Sequence, residues 1–540
     1  MPLKLKILQL CYTSLLLAFF VLPEVHSQSK KQIASGFMLQ NGTDTLTIER
    51  FSRIGNKLEG RLLFKDQIPI VYRANINEQK QLEQLAIQVL KPGSPEGTPP
   101  QQESVLTFRG DSIMTVSVKG DTKEKESIKT TPGAMAYHPK MPMLSLLEQV
   151  VMRARVKGGQ QVTVPVFLLS TKGQTINATI NFSGNDSARV ALGNTTVHLK
   201  VNKDGEILGG KTSGGQTIKR LESVPDAALA TKAPDYSAPA DAPYTAEQVR
   251  IQTKAGHVLA GTLTIPKNAS KPVPVVVTIT GSSPQDRDNN TPFGGPYHLF
   301  GQLADELGRN GIAVLRMDDR GVGQSTGNLE NATSAERADD IREGIAFAKK
   351  QKRIDKDRVV LVGLSEGGMI APMIAKTNKA LNGIVLMAGP ASPGKELLEY
   401  QIRTSLEQGK NLTPEEREKA FKKALQENLK EADSNPWLRY FLNYNPLETA
   451  RQIKSVPVLI MQGTTDNNVP PGDAKKLAGA FKAAGNKNVT LKMMEGYNHI
   501  FLKDENGHQQ NYQNLKSFTV GPEVIQPIVD WVAKVTNVAQ

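Results

Sequence analysis

Residues 359–368 read VVLVGLSEGG. A run of β-branched and aliphatic residues ends in Gly363-Leu364-Ser365-Glu366-Gly367, and the helix-compatible stretch MIAPMIAKTNKAL follows at once. This is a buried strand, a tight turn and a helix, with a serine at the apex. Glycines two before and two after that serine let the turn be sharp enough to hold Ser365 in a strained conformation. Its hydroxyl then stands clear of the sheet edge, where a base can reach it. The pentapeptide acquires meaning only if an acid and a histidine follow at the ends of later strands.

Working outward, strands and helices alternate on both sides of this turn. VRIQT (249–253) and HVLAGTLTIP (257–266) read as a hairpin, and PVVVTITG (274–281) as a buried strand. Then come a helix through HLFGQLADELGRNG, the strand IAVLRMDD and a helix through ERADDIREGIAFAKKQ. After Ser365 and its helix, GIVLMAG and VPVLIMQG are strands. DAKKLAGAFKAAG is a helix, VTLKMME a strand and EVIQPIVDWVAKV a helix. Such alternation implies crossover connections and a mostly parallel sheet, hence an α/β fold. Residues 391–455 interrupt it with a helical insertion between two strands, expected to cap a site at the strand ends.

Upstream the texture is different. TLTIERF (45–51), KLEGRLLF (57–64), IPIVYRANI (68–76), SVLTFRG, IMTVSVKG, VTVPVFLL, TINATINF, RVALG and TVHLKVN alternate in character and are separated by Gly, Asn and Asp turns. They predict antiparallel strands forming a sandwich, an open barrel or a curved sheet, interrupted by one helix near 143–154. The Ala-, Pro- and Asp-rich stretch 225–243 reads as a linker. The expected organisation is a leader at 1–27, an antiparallel β-rich domain at 28–224, the linker, and an α/β domain at 244–540.

The leader rests on Lys4 and Lys6 before the apolar run Ile7–Leu22, then Pro23 and a cleavage-type Val25-His26-Ser27. This is the pattern of a signal peptide cut after Ser27, and the run is short of the ~20 residues a membrane span needs. The expectation is an exported protein, periplasmic or extracellular, without stable membrane insertion. The single cysteine, Cys11, lies in that segment, so a processed chain would hold no disulfide, cysteine nucleophile or thiolate metal site. The net charge of +13 is spread out, with 5% aromatic residues and no dense basic block, which excludes a nucleic-acid reading. No phosphate loop or metal-ligand spacing occurs, and no cofactor or metal is expected. Oligomeric state leaves no signal.

Serine needs a base, and the base needs an orienting acid. VPVLIMQG runs into Thr464-Thr465-Asp466, and VTLKMMEG runs into Tyr497-Asn498-His499, each at a strand's carboxyl end. Parallel strands put these loops on one edge with Ser365, in the chain order serine, acid, histidine. His138, His198, His257, His298 and His508 are rival bases and Asp473 and Asp504 rival acids; of the histidines, His508 is the nearest competitor. The oxyanion donors are expected to be the N–H of Glu366, just after the nucleophile, and the N–H of Ser282, with Ser283 next in line. Asp286, Arg287, Asp288, Asp318, Asp319 and Arg320 are expected to brace these loops as paired charges. Glu366 is expected to shape the pocket or pair with one of those arginines.

GSSPQDRD (281–288), RMDDRGVGQSTG (316–327), GLSEGG (363–368), MAGP (387–390), NPWLRYFLNYNP (435–446), QGTTDNNVP (462–470) and GYNH (496–499) form an ordered set. From about Tyr244 onward the chain resembles bacterial exported α/β-hydrolases, esterases related to the serine aminopeptidase and prolyl oligopeptidase-like group. Leu364 departs from many of these relatives, which have His before the nucleophile. The resemblance implies carboxylic-ester hydrolysis with Ser365, Asp466 and His499 as the triad, and a small-molecule ester of short to medium acyl length is the expected substrate. Trp437, Tyr440, Phe441 and Tyr444 of the cap suggest an apolar acyl or aryl pocket, or else form the cap's own core. The alternatives are a serine aminopeptidase of the same fold, a polysaccharide-deacetylating esterase, and a non-catalytic envelope-binding protein.

Overall fold

The computed structural model describes residues 35–538 except 65–67, 94–97, 120–121, 139–140, 170–173, 194, 291–296, 330–331, 408–411, 510–511, 513–514 and 516. The expected leader lies outside the described residues.

Fifteen strands between Ser35 and Leu221 form one sheet of two meanders, joined where the first strand, Ser35–Asn41, pairs antiparallel with the last, Thr217–Leu221. All neighbours are antiparallel except Met135–Tyr137, which lies parallel to Gln161–Leu168. It is one open sheet, ending at the edge strands Thr122–Lys129 and Met135–Tyr137, and not a sandwich of two. Its inward side chains, among them Phe37, Leu58, Ile70, Leu85, Val164 and Val190, close over the helix Leu144–Lys157. That helix buries Leu144, Leu147, Val150, Val151 and Ala154 in the same core. The helix start has no side-chain cap of its own. Glu49 takes that place from the sheet, accepting the N–H of Leu144 at 2.7 Å and of Ser145 at 3.2 Å. A second buried carboxylate, Glu148, is met by Arg53, Arg220 and the N–H of Ile207.

The second sheet has eight strands: β1 (Tyr244–Gln252), β2 (Val258–Pro266), β3 (Val273–Ile279), β4 (Ala313–Met317), β5 (Ile354–Leu364), β6 (Gly383–Met387), β7 (Val458–Gly463) and β8 (Val489–Met494). Their spatial order is β1-β2-β4-β3-β5-β6-β7-β8. β2 is antiparallel to both its neighbours, and every other pairing is parallel. Helices α1 (Leu299–Arg309), α2 (Ser334–Lys349), α3 (Glu366–Ala375), α8 (Asp473–Ala483) and α9 (Pro522–Val535) cover it. Successive residues of a strand face opposite sides. Val275, Val277 and Leu361 therefore pack with α2, α3 and α8, while Val276, Val360 and Val362 pack with α1 and α9. Burial on both faces explains why these strands read as unbroken apolar runs.

The insertion 391–455 folds as α4 (Gly394–Glu407), α5 (Pro414–Glu431), α6 (Pro436–Asn443) and α7 (Pro446–Ala450). Thr413, Asn435 and Asn445 cap the last three of these through side-chain bonds to backbone N–H groups, each just before a proline. The segment 225–243 is a strap seated at two points. Val224 and Leu229 pack on Ile48 and Leu63 of the first sheet. Tyr236 lies with its ring 4.2 Å from the Arg287 guanidinium and donates its hydroxyl to Asp286 at 3.1 Å.

Candidate active site

Ser365 joins β5 to α3 with φ 57° and ψ −117°, in a region that side-chain-bearing residues rarely occupy. Its N–H donates to the Met387 carbonyl at 2.8 Å. The flanking glycines are needed for space more than for torsion. A methyl at Gly363 would run into the carbonyl of Gly367, and one at Gly367 into the carbonyl of Ile279. Glu366 is the first residue of α3, so its N–H has no acceptor within the helix and faces outward at the positive end.

Asp466 follows β7 and is 1% exposed. One carboxylate oxygen accepts the N–H groups of Asn468 at 2.8 Å and Val469 at 2.9 Å. The other accepts Gln462 Nε2 at 2.7 Å and meets His499 Nδ1 at 2.8 Å. With donors crowding the carboxylate, Nδ1 carries the proton and Nε2 is left with its lone pair. His499 sits in a loop that Asn498 shapes, its side-chain oxygen accepting the N–H groups of Ile500 and Leu502. Ser365 and His499 line one cavity of about 460 Å³.

The loop after β3 closes the site from the other side; a methyl built on Gly281 would lie 3.5 Å from Ser365 Cβ. Gly281 N–H is taken by Gln285 Oε1 at 2.7 Å, an oxygen that also accepts Asn289 Nδ2 at 2.6 Å. The N–H groups of Ser282 and Ser283 have no hydrogen bond among the described residues, and both residues line the cavity. The site thus brings Ser365, His499, Asp466, Glu366 and Ser282 to one edge.

The surrounding charges pair in a specific pattern. Arg287 is fully buried and forks onto both oxygens of Asp318 at 3.0 and 2.8 Å. Arg316 meets Asp288, and Arg320 meets Asp340. Glu366 pairs at 2.7 Å with Arg337, an arginine of α2, and with neither Arg287 nor Arg320. Burial pushes the Asp319 carboxyl up to about 6 despite the nearby Arg337 cation. Asp473, considered as an acid, instead accepts the N–H groups of Ala391 and Ser392 and anchors the start of the cap. Asp504 accepts the Asn506 N–H at 3.1 Å. His508 meets Asn467 at 3.0 Å, His257 meets Asp340, and His138 accepts the Met141 N–H. His298 precedes α1 and His198 lies within the first sheet.

None of the four cap aromatics belongs to the described lining of the cavity. Trp437 stacks on Phe441 and Tyr440 on Tyr444, as the cap's own packing. The lining instead carries neutral polar groups, among them Gln401, Thr404, Asn467, Asn468 and Gln509. Gln462 and Arg337 were invisible as site residues in the sequence, and Gln285 was visible only as a member of the oxyanion loop. Each acts by holding a loop whose fold the sequence does not display, although Gln285 stands within the GSSPQDRD motif. No group of three or more potential metal ligands occurs among the described residues.

Residues 293–506 match the family model described as serine aminopeptidase, S33. The chain is 29% identical over 281 residues to esterase EstD of Thermotoga maritima, an alignment covering 51% of this chain and 66% of the length of that relative. Among solved structures, the Pyrococcus furiosus esterase Pf2001 aligns with 18% identity over 55% of this chain and 94% of its own, with a TM-score of 0.39. Est1E of Butyrivibrio proteoclasticus, determined with ferulic acid bound, aligns with 17% identity over 54% and 99%, with a TM-score of 0.36. Strand order, the elbow and the match over residues 293–506 agree on an α/β-hydrolase fold for the carboxyl-terminal half of the chain.

Proposed function

We propose that the protein hydrolyses carboxylic esters of short to medium acyl length through an acyl-enzyme on Ser365. His499 takes the Ser365 proton as the hydroxyl oxygen attacks the ester carbonyl, and Asp466 orients and charge-stabilises the imidazolium. The N–H groups of Glu366 and Ser282 receive the oxyanion. His499 returns the proton to the departing alkoxide, and then activates the water that frees the acid. The observation that carries this reading is the Asp466–His499 contact at 2.8 Å beside a serine on a left-handed elbow in the same cavity.

Ester is favoured over aminopeptide by the composition of that cavity. Its described lining holds no aspartate, glutamate, lysine or arginine, so no carboxylate waits for a substrate's α-ammonium group. The neutral amides and hydroxyls suit an uncharged substrate with hydrogen-bonding groups of its own. The pattern of residues 1–27 supports export; amino-terminal sequencing of the secreted chain should begin at Gln28. The test of activity is hydrolysis of nitrophenyl esters of graded acyl length beside an aminoacyl nitroanilide. Wild type should cleave the short esters, and Ser365→Ala should lose about 10⁴-fold or more of kcat. Preferential cleavage of the anilide, or equal ester turnover by Ser365→Ala, would sink the proposal.

A further inference from the structure

The Glu366 carboxylate is 3% exposed and stands one residue beyond the nucleophile. It receives three donors: Ser334 Oγ at 2.5 Å, Arg337 Nη1 at 2.7 Å and Trp437 Nε1 at 3.0 Å. Trp437 belongs to α6 of the cap. Arg337, 5% exposed on α2, turns its other terminal nitrogen to the carbonyl of Gly281 at 2.7 Å and to Thr280 Oγ1 at 3.1 Å. One guanidinium therefore joins the two backbone segments that carry the oxyanion donors, Glu366 on the elbow and Ser282 just after Gly281. The cap's indole is wired to the same carboxylate. A buried charge cluster is a weak source of stability compared with apolar packing of similar volume. What it supplies is fixed geometry, and oxyanion donors are effective only when placed to within a fraction of an ångström.

We propose that Arg337 and Trp437 are positioning residues for the oxyanion hole, with the Glu366 side chain as the joint that makes donor alignment depend on a seated cap. The idea rests on the ester-hydrolase reading of Ser365. The cap has a second anchor: Tyr400, Gln401 and Thr404 of α4 bond the backbone carbonyls of Asp466, Asn468 and Asn467. Cap seating thus bears on the acid loop at one end and on the oxyanion donors at the other. Trp437→Phe removes a single N–H donor and leaves a ring to stack on Phe441, whose centroid lies 5.4 Å away.

The test compares wild type, Trp437→Phe, Arg337→Lys and Arg337→Gln. Active sites are titrated with a fluorophosphonate, so that misfolded protein does not enter the rate. A trifluoromethyl ketone, which takes up the Ser365 oxygen at its carbonyl carbon and leaves a negative oxygen there, reports on the hole directly. The expected result is a fall of about tenfold in kcat per titrated site for Trp437→Phe and more for Arg337→Gln, at nearly constant KM. Affinity for the ketone should fall by the same factor, with partial recovery in Arg337→Lys. Rates per titrated site and ketone affinities within about twofold of wild type for both Trp437→Phe and Arg337→Gln would overturn the proposal. If wild type is neither titrated nor active on esters, the ester-hydrolase reading itself falls, and this inference with it.

Discussion

Asp319 lies two residues past the strand β4 and carries its charge in a place that penalises it. Its neighbours are the Thr280 hydroxyl, the Gln285 N–H at 3.1 Å and the Arg337 guanidinium at 3.4 Å, and burial still pushes its carboxyl up to about 6. In the unfolded chain the same group titrates near its ordinary 3.8. Between these limits the folded protein holds a proton that the unfolded chain has released. The group's contribution is therefore fully present below about pH 4 and is lost as the pH rises through about 6, on the order of 3 kcal/mol. Asp319→Asn should flatten that fall, as measured by urea unfolding at about pH 4 and about pH 7. An unchanged pH slope would assign the titration to another group. At this scale the sequence displayed the placement of Ser365, Asp466 and His499, each just past the end of a strand. It was illegible where a side chain works by reaching across the fold. Nothing in ERADDIREGI marks Arg337, rather than Arg320 three residues past β4, as the partner of Glu366.

The elbow leaves no room for a side chain at Gly367. A methyl there meets the Ile279 carbonyl at the end of β3, so strand and helix would have to separate. Gly367→Ala should destabilise the protein by at least about 2 kcal/mol and slow fluorophosphonate labelling of Ser365, by denaturant unfolding and labelling kinetics. Normal stability with normal labelling would mean the turn can relax. The parallel strands announced themselves because burial on both faces leaves nothing polar in them. Several strands of the first sheet did not, for the opposite reason. Thr122–Lys129, reading TKEKESIK, is an edge strand whose charges face solvent and discourage pairing with another chain, so it lacks an apolar alternation to read. Ser35–Asn41, Leu82–Val89 and the glycine-rich Ile207–Thr212 are likewise paired within the sheet without a clear pattern of their own. The cap was visible as a helical insertion. Its aromatics read equally as pocket or core, and they stack within the cap.

Across the whole molecule, the segment that composition marks as a linker is seated on both sheets. Its Tyr236 combines a cation–π contact with Arg287, worth about 0.5–2 kcal/mol, and a hydrogen bond to Asp286. Arg287 is also the residue that forks onto Asp318, so the strap rests on the bracing of the oxyanion loop. Tyr236→Ala should speed proteolytic cleavage within 225–243 several-fold, with Tyr236→Phe in between; equal cleavage rates would show that the strap is held elsewhere. Among the described residues no helix is long and apolar enough to cross a membrane. The proposed acyl-enzyme on Ser365, formed under His499 and Asp466, can be trapped. The most direct measurement is intact-protein mass spectrometry after rapid quenching with a short-chain nitrophenyl ester, followed by peptide mapping. One added acyl group is expected on the peptide containing Ser365, with none in Ser365→Ala and none on the same timescale in His499→Ala, which lacks the base that activates the serine. Acylation at any other residue, or turnover of the ester without an adduct on Ser365, would contradict it.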